Sequence, residues 1–383
     1  MPHGDRREKM FHTEVYRILS KKINLAVMLA GMLFGLYYAM GNTVWGEGLI
    51  DDGRIYKKTE AIARDQEIAA EFSGVLTADT VQAIWEKYGP PVNYENRSTT
   101  WEGLQAAASD GGNDNFCNRF VVRVFGEPVM EDGEIVYRLR DGWRESRYLQ
   151  GNYVFGYAGG STWYWDRFCI AFALGQLAII VCLCPLFVED YACRTADVIL
   201  STPKGRFTVW KTRMAVGGLL ASVYYWMCCG SIFFQYIAFY GADGLAVSCR
   251  LAGLPMDVKY DYISTGKCLL VLYLCGWGST LVLVALVGAV SASGRQLFSV
   301  LVRSLLLYAG PLAVVKIVLD TLPMGRVNSM LHLVCYSMPL SYPGTFAEAP
   351  ARGKAVLTAL MLTVAATATA AGAYRYCHHQ VGQ

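Results

Sequence analysis

An α-helical polytopic membrane protein, with six transmembrane helices and an α+β extracytoplasmic domain between helices 1 and 2, is the fold class the sequence predicts. Three observations predict it. Apolar stretches recur at 24–44, 168–188, 214–240, 268–292, 297–319 and 355–374, and about 20 apolar residues cross a hydrocarbon core. Basic residues flank them selectively: Arg6, Arg7, Lys9, Arg17, Lys21 and Lys22 precede the first, and Lys204, Arg206, Lys211 and Arg213 follow the second. The intervening 46–166 holds 12 Lys or Arg against 20 Asp or Glu, leaving the remainder positive by 11. Positive residues stay on the cytoplasmic side, so the expectation is a multi-pass cell-membrane protein with both termini cytoplasmic. The same asymmetry explains the basic surface without nucleic acid as a partner.

In order, residues 1–23 read as a cytoplasmic amphipathic helix, with Phe11, Val15, Ile18 and Leu19 at helical spacing and Arg17, Lys21 and Lys22 available to membrane lipid headgroups. Residues 24–45 form helix 1. Its apolar run is too long for a signal-peptide core, so a retained anchor is expected. Gly31 and Gly35 form a G-x-x-x-G pair that would let another helix approach closely.

Residues 46–166 make the extracytoplasmic domain, long enough for one small fold but polar for a deep core. A helix is expected over 57–72, and a second begins at Thr77 and ends before Gly89-Pro90-Pro91. Residues 120–125 and 135–139 alternate like strands, which predicts a two-stranded ribbon around Glu131-Asp132-Gly133. The aromatics Tyr153, Phe155, Tyr157, Trp163, Tyr164 and Trp165 precede helix 2 and read as an interfacial belt. Helix 2 covers 167–188, a polar segment covers 189–213, and 214–383 holds helices 3–6 with short loops and a cytoplasmic tail. Within the last, 320–354 holds only a brief apolar pattern of Met330, Leu331, Val334 and Met338, too short to span, and reads as a broken segment at the outer leaflet.

Most of the 12 cysteines lie in or beside apolar stretches, as buried small hydrophobes do. Cys117 and Cys249 alone fall clearly in outer segments, where a bridge is open but undecided. No phosphate loop, H-E-x-x-H or G-x-S-x-G occurs. The chain therefore reads as no enzyme, with no catalytic, cofactor-binding or metal-binding residue. Charges inside spans are costly and mark function or snorkelling. Arg303, Lys316 and Asp320 in helix 5 are accordingly the candidates for a translocation path, beside a kink at Gly310-Pro311.

The polar segment has its own pattern. On a helix, Asp190, Arg194 and Asp197 share a face, with Tyr191, Ala192, Thr195 and Ile199 largely opposite. Pro203 stops that helix near Ser201, and Thr202 can cap a new helix beginning at Pro203.

Glu189, Arg194-Thr195, Ile199-Leu200-Ser201-Thr202-Pro203, Gly205-Arg206 and Lys211 resemble the corresponding segment of permease subunits of ABC transporters of the ABC-2 export type. There the pattern runs acidic, G-T, L-L-x-T-P, a basic residue and a lysine; this chain has Arg194 in place of the glycine. The resemblance implies a pair of permeases, either two copies or one with a sister permease, working with cytoplasmic ABC ATPase subunits that bind the ATP and Mg. It also implies that Glu189, Asp190, Arg194, Thr195, Asp197, Thr202, Pro203, Lys204, Gly205 and Arg206 form the ATPase-coupling contact. The exported substrate class, whether peptide, drug or lipid, stays open. The rival expectation is a sensor or receptor whose outer domain binds a ligand.

Overall fold

The computed structural model describes residues 3–44, 46–94, 100–109, 111–131, 134–193, 203–254, 256–322 and 325–378. Helix α1 (His3–Leu19) leads into α2 (Lys22–Thr43), and the two are bent by 70° across the break between them. A hairpin of β1 (Gly48–Asp51) and β2 (Arg54–Lys57) follows. Then come α3 (Thr59–Ala70), β3 (Gly74–Val75), α4 (Ala78–Tyr88), α5 (Trp101–Ser109) and α6 (Phe116–Phe125). Strands β4 (Gly126–Glu131) and β5 (Glu134–Leu139) form a ribbon, and β6 (Val154–Phe155) pairs back with β3.

Helix α7 (Ser161–Leu183) abuts α8 (Pro185–Ala192), and α9 (Pro203–Tyr240), α10 (Thr265–Ser293) and α11 (Leu297–Ile317) are long and apolar. Short helices α12 (Arg326–Tyr336) and α13 (Tyr342–Glu348) precede α14 (Ala351–Cys377). Five helical segments are long and apolar enough to cross a membrane: Trp163–Tyr191, Arg206–Tyr240, Thr265–Ser293, Leu297–Thr321 and Ala351–Cys377. There are up to six if the bent α1–α2 pair counts as one.

Two units divide the chain. The first takes Met1–Leu36, Phe168–Ser231 and Leu270–Gln383; the second takes Tyr37–Arg167 and Ile232–Leu269. Within the first, Ile180, Leu183, Phe187, Val216, Val300 and Tyr376 belong to one buried cluster. Small residues set two close approaches there. Any side chain at Gly31 would meet the Tyr224 hydroxyl, which donates to Met28 O at 2.9 Å. A Cβ at Gly372 would sit 3.0 Å from Ala289 Cα, so α14 and α10 touch nearly backbone to backbone. Of the expected glycine pair, Gly31 makes the tight approach and Gly35 only an ordinary contact, 3.9 Å from Ala171 Cβ.

The second unit has a deeper core than its composition suggested, with Leu49, Ile50, Leu76, Val81, Ile84 and Phe125 all fully buried. The β1–β2 turn places Asp52 at φ 48 and Gly53 at φ 73, as the primed two-residue turn that suits strand twist requires. Thr77 caps α4 by accepting Thr80 N–H at 3.2 Å, as expected from sequence.

Several expectations for this unit need correction. Residues 120–125 are helical, because Asn115 and Asn118 exchange side-chain and backbone bonds of 3.0 Å in a capping box that starts α6. The ribbon exists with its second strand, β5, over the expected 135–139, but its first strand is β4, the segment after 120–125. Most of the aromatics expected as a belt are core: Tyr153, Phe155 and Tyr157 before α7 and Tyr164 in its first turn are buried, and Phe155 packs 4.7 Å from the Phe120 ring. Trp163, by contrast, is 52% exposed. The loop after α9, expected as a mere connector, completes the unit. Its Asp261 accepts from Tyr153 Oη at 2.6 Å and from Arg147 Nη2 at 2.6 Å. Cys117 and Cys249 are free thiols, and Cys249 Sγ donates to Asp261 O at 3.2 Å.

Candidate functional site

The polar segment singled out by sequence begins at the end of α8, and the first unit organises its charges around that end. Arg213, on α9, is 3% exposed. Its Nη2 donates to Asp190 Oδ1 at 3.0 Å, its Nη1 to Asp190 Oδ2, and its Nε to Glu14 Oε1 at 3.0 Å. Arg17, on α1, lies 3.5 Å from Asp190 Oδ1 and 2.9 Å from Glu14 Oε2, and donates to Leu186 O at 2.8 Å. Lys21 pairs with Glu189. Tyr376, near the end of α14, donates to Asp190 Oδ2 at 3.4 Å and packs its ring 4.8 Å from that of Phe187.

Three cations and three carboxylates thus balance. A buried charge is tolerated only when paired and hydrogen-bonded, and the forked guanidinium of Arg213 suits a planar, two-pronged grip on a carboxylate. The node ties α1, α8, α9 and α14 together at one place. Chemically it is a clamp: no group in it is free to act as an acid, base or nucleophile.

This arrangement changes several residue assignments. Asp190, expected on an exposed polar face, is 3% exposed and turned toward Arg213 and Arg17. Arg17 and Lys21, expected at lipid headgroups, pair instead with Asp190 and Glu189. Arg206, expected in the ATPase-coupling contact, donates from Nη1 to Cys377 O at 2.9 Å and so satisfies the end of α14. Helix α9 starts at Pro203, the position expected from the Thr202-Pro203 pair. Arg194, Thr195, Asp197 and Thr202 lie outside the described residues, as do the side chains of Pro203, Lys204 and Gly205.

The candidates in the fifth apolar stretch separate into two places. Lys316 Nζ donates to Asp320 Oδ2 at 3.2 Å, and His332 of α12 sits with Nε2 3.1 Å from Asp320 Oδ1. The Asp320 hydrogen bond raises the His332 imidazole above its ordinary value. Arg303 is exposed on α11 between Val302 and Leu306, and α11 runs unbroken through Pro311. Nothing brings Arg303 to the Lys316–Asp320–His332 group.

Glu14, Arg213 and Tyr376 were not legible as site residues. Glu14 is one of three acids in a helix of mixed charge, Arg213 reads as one more flanking charge, and their partners lie 199 and 23 residues away. Comparison with protein-family models, with curated proteins and with solved structures gives no match.

Proposed function

We propose that the chain is the membrane-spanning permease subunit of an ATP-driven exporter of the ABC-2 type, with residues 189–206 as the contact for a separate ATPase. The observation that carries this reading is the mounting of the polar segment. On one side it follows α8, whose Asp190 is clamped; on the other it joins α9, a single helix of 38 residues. At 1.5 Å per residue such a helix is about 57 Å long, well beyond a hydrocarbon core of about 30 Å. A push on 194–202 would therefore enter α9 directly, and the Arg213 node would share it with α1 and α14. A coupling element needs such a stiff mount, and the revised role of Asp190 is to hold the mount while Arg194 and Asp197 make the contact.

A second permease copy or a sister permease fits the bare face of α11, where Phe298, Leu306 and Ile317 are 77%, 64% and 72% exposed around Arg303. A charge facing lipid at mid-helix costs about 2.5–3.5 kcal/mol, which a partner helix supplying an acceptor would relieve. In this reading both termini and the Arg213 node are cytoplasmic, and the second unit is extracytoplasmic. The cargo class is peptide, drug or lipid.

Affinity purification of the tagged full-length chain from its native membrane tests the reading. An ATPase is expected to co-purify with the wild type and to be lost with the Arg194→Glu, Asp197→Lys double variant while the permease itself remains in the membrane. Absence of any ATPase from the wild-type preparation, or its full retention by the double variant, rejects the coupling role.

A further inference from the structure

The loop after α9 brings two thiols together. Ser248 and Ser264 face each other in an isolated antiparallel bridge, with Cys249 N donating to Ile263 O at 2.8 Å and Thr265 N to Val247 O at 2.8 Å. Cys268 lies in the first turn of α10, its N–H donating to Ser264 O at 3.1 Å. The pairing carries the Cys249 side chain to that of Cys268, and the two thiols share a hydrogen bond. Cys249 is fully buried and Cys268 is 4% exposed. Both belong to the second unit, whose last residue is Leu269. Cys117, the other outer thiol of the sequence, is buried instead at the start of α6.

A single buried cysteine is an inert small hydrophobe. Two thiols in contact can exchange their S–H bonds for one S–S bond wherever the compartment supplies an oxidant. We propose that Cys249 and Cys268 form a disulfide on the oxidising side of the membrane, fastening the loop after α9 to the first turn of α10. The oxidant is the disulfide of a thiol–disulfide exchange protein. One thiolate of the pair attacks it, giving a mixed disulfide and releasing one oxidant thiolate; the other thiolate then attacks the bonded cysteine sulfur and releases the second. Two protons leave the pair, and two electrons end on the oxidant, which departs as a dithiol.

Cys268, and then burial, raise the Cys249 thiol above its ordinary value. Since the thiolate is the nucleophile, the bridge forms during folding, before the loop closes over it. The fastened loop supplies bonds on which the unit depends. Asp261 holds Tyr153 and Arg147, Ser248 Oγ accepts from Val154 N at 2.9 Å, and Leu251 O accepts from Arg123 Nη2 at 2.8 Å. A bridge closing about 20 residues also removes chain entropy from the unfolded state. The pairing itself comes from the loop geometry; only its oxidised state rests on the reading that places the second unit outside the membrane.

The test uses the full-length protein from its native membrane. Free thiols are blocked with N-ethylmaleimide in denaturing detergent at lysis, and the chain is then reduced and tagged with a maleimide-polyethylene glycol that retards it on a gel. Each previously bridged thiol gains one tag. Cys249→Ala and Cys268→Ala are each expected to carry two tags fewer than the wild type, and Cys117→Ala the same number; tagging reads the denatured chain, and either of the first two variants decides alone. A phosphine reductant should lower the Tm of the purified wild type by about 5 °C and leave that of Cys268→Ala unmoved. The tagging is repeated on cells grown with diamide, a permeant thiol oxidant that meets the chain during synthesis. A bridge present only with diamide keeps the pair, assigns it to a reducing compartment and rejects the outer placement. Equal tagging of the wild type and both variants under both conditions, or loss of tags in Cys117→Ala, overturns the proposal.

Discussion

At the residue scale, Arg213 and Asp65 carry the sharpest consequences. Arg213 satisfies Asp190 and Glu14 at once, so Arg213→Gln leaves these two carboxylates to share Arg17. Breaking a buried ion pair by removing one partner costs about 3–5 kcal/mol. The variant should lose stability on that scale in thermal or denaturant unfolding, and Arg213→Gln combined with Asp190→Asn should recover part of it. Asp65 is partly buried as a residue, but its carboxyl is enclosed and accepts Phe116 N–H at 2.8 Å. Loss of solvation pushes it from 3.8 up to about 8, against the pull of that bond and of Arg119. The folded protein therefore keeps a proton that the unfolded chain releases at about 3.8, and stability falls as pH rises through that window and levels off above about 8. Asp65→Asn retains an acceptor for Phe116 and should flatten the slope, raising Tm at pH 8 relative to wild type; an unchanged pH profile would exclude Asp65 as its source. Neither residue stands out in sequence. One is a flanking arginine and the other an acid on a helix of mixed charge, and both acquire their properties from neighbours far along the chain.

At the element scale, α6 and α14 show how local patterns were read well or badly. The Phe-Val-Val-x-Val-Phe run looked like a strand because its β-branched and aromatic residues favour one, yet Asn115 and Asn118 commit it to a helix by capping. Asn115→Ala should cost about 1 kcal/mol, read as a lower Tm and as faster amide exchange in the first turn of α6. The long spans are plain from hydropathy, and the Pro203 start of α9 from the Thr202-Pro203 pair. Packing between spans was not. Gly372 is one of two glycines in an alanine-rich helix, and only the 3.0 Å approach to Ala289 marks it as needed. Gly372→Val should overpack that contact and cost about 1–3 kcal/mol, whereas Gly310→Ala, with nothing within 4 Å of its Cβ position, should be neutral or better in the same measurement.

At the scale of the whole molecule, the Arg213 node makes the amino-terminal helix, both flanks of the polar segment and the last helix answer to one another. In the exporter reading, this predicts that Arg213→Gln reduces cargo transport in membrane vesicles more than it reduces ATPase co-purification, because the contact residues survive while their mount is loosened. Equal loss of both would place Arg213 in the contact itself. The candidate site was half legible. By itself the sequence determined that several helices are long and apolar enough to cross a membrane, the stretches they centre on, and which polar segment is set apart between them. Hydropathy, proline and capping act within a few residues, so they are written locally. Only the tertiary structure decided that Asp190 is buried and that the aromatics before α7 are core. Those facts depend on pairs 23 to 186 residues apart, and no periodicity or spacing encodes which distant charge or ring will arrive beside another.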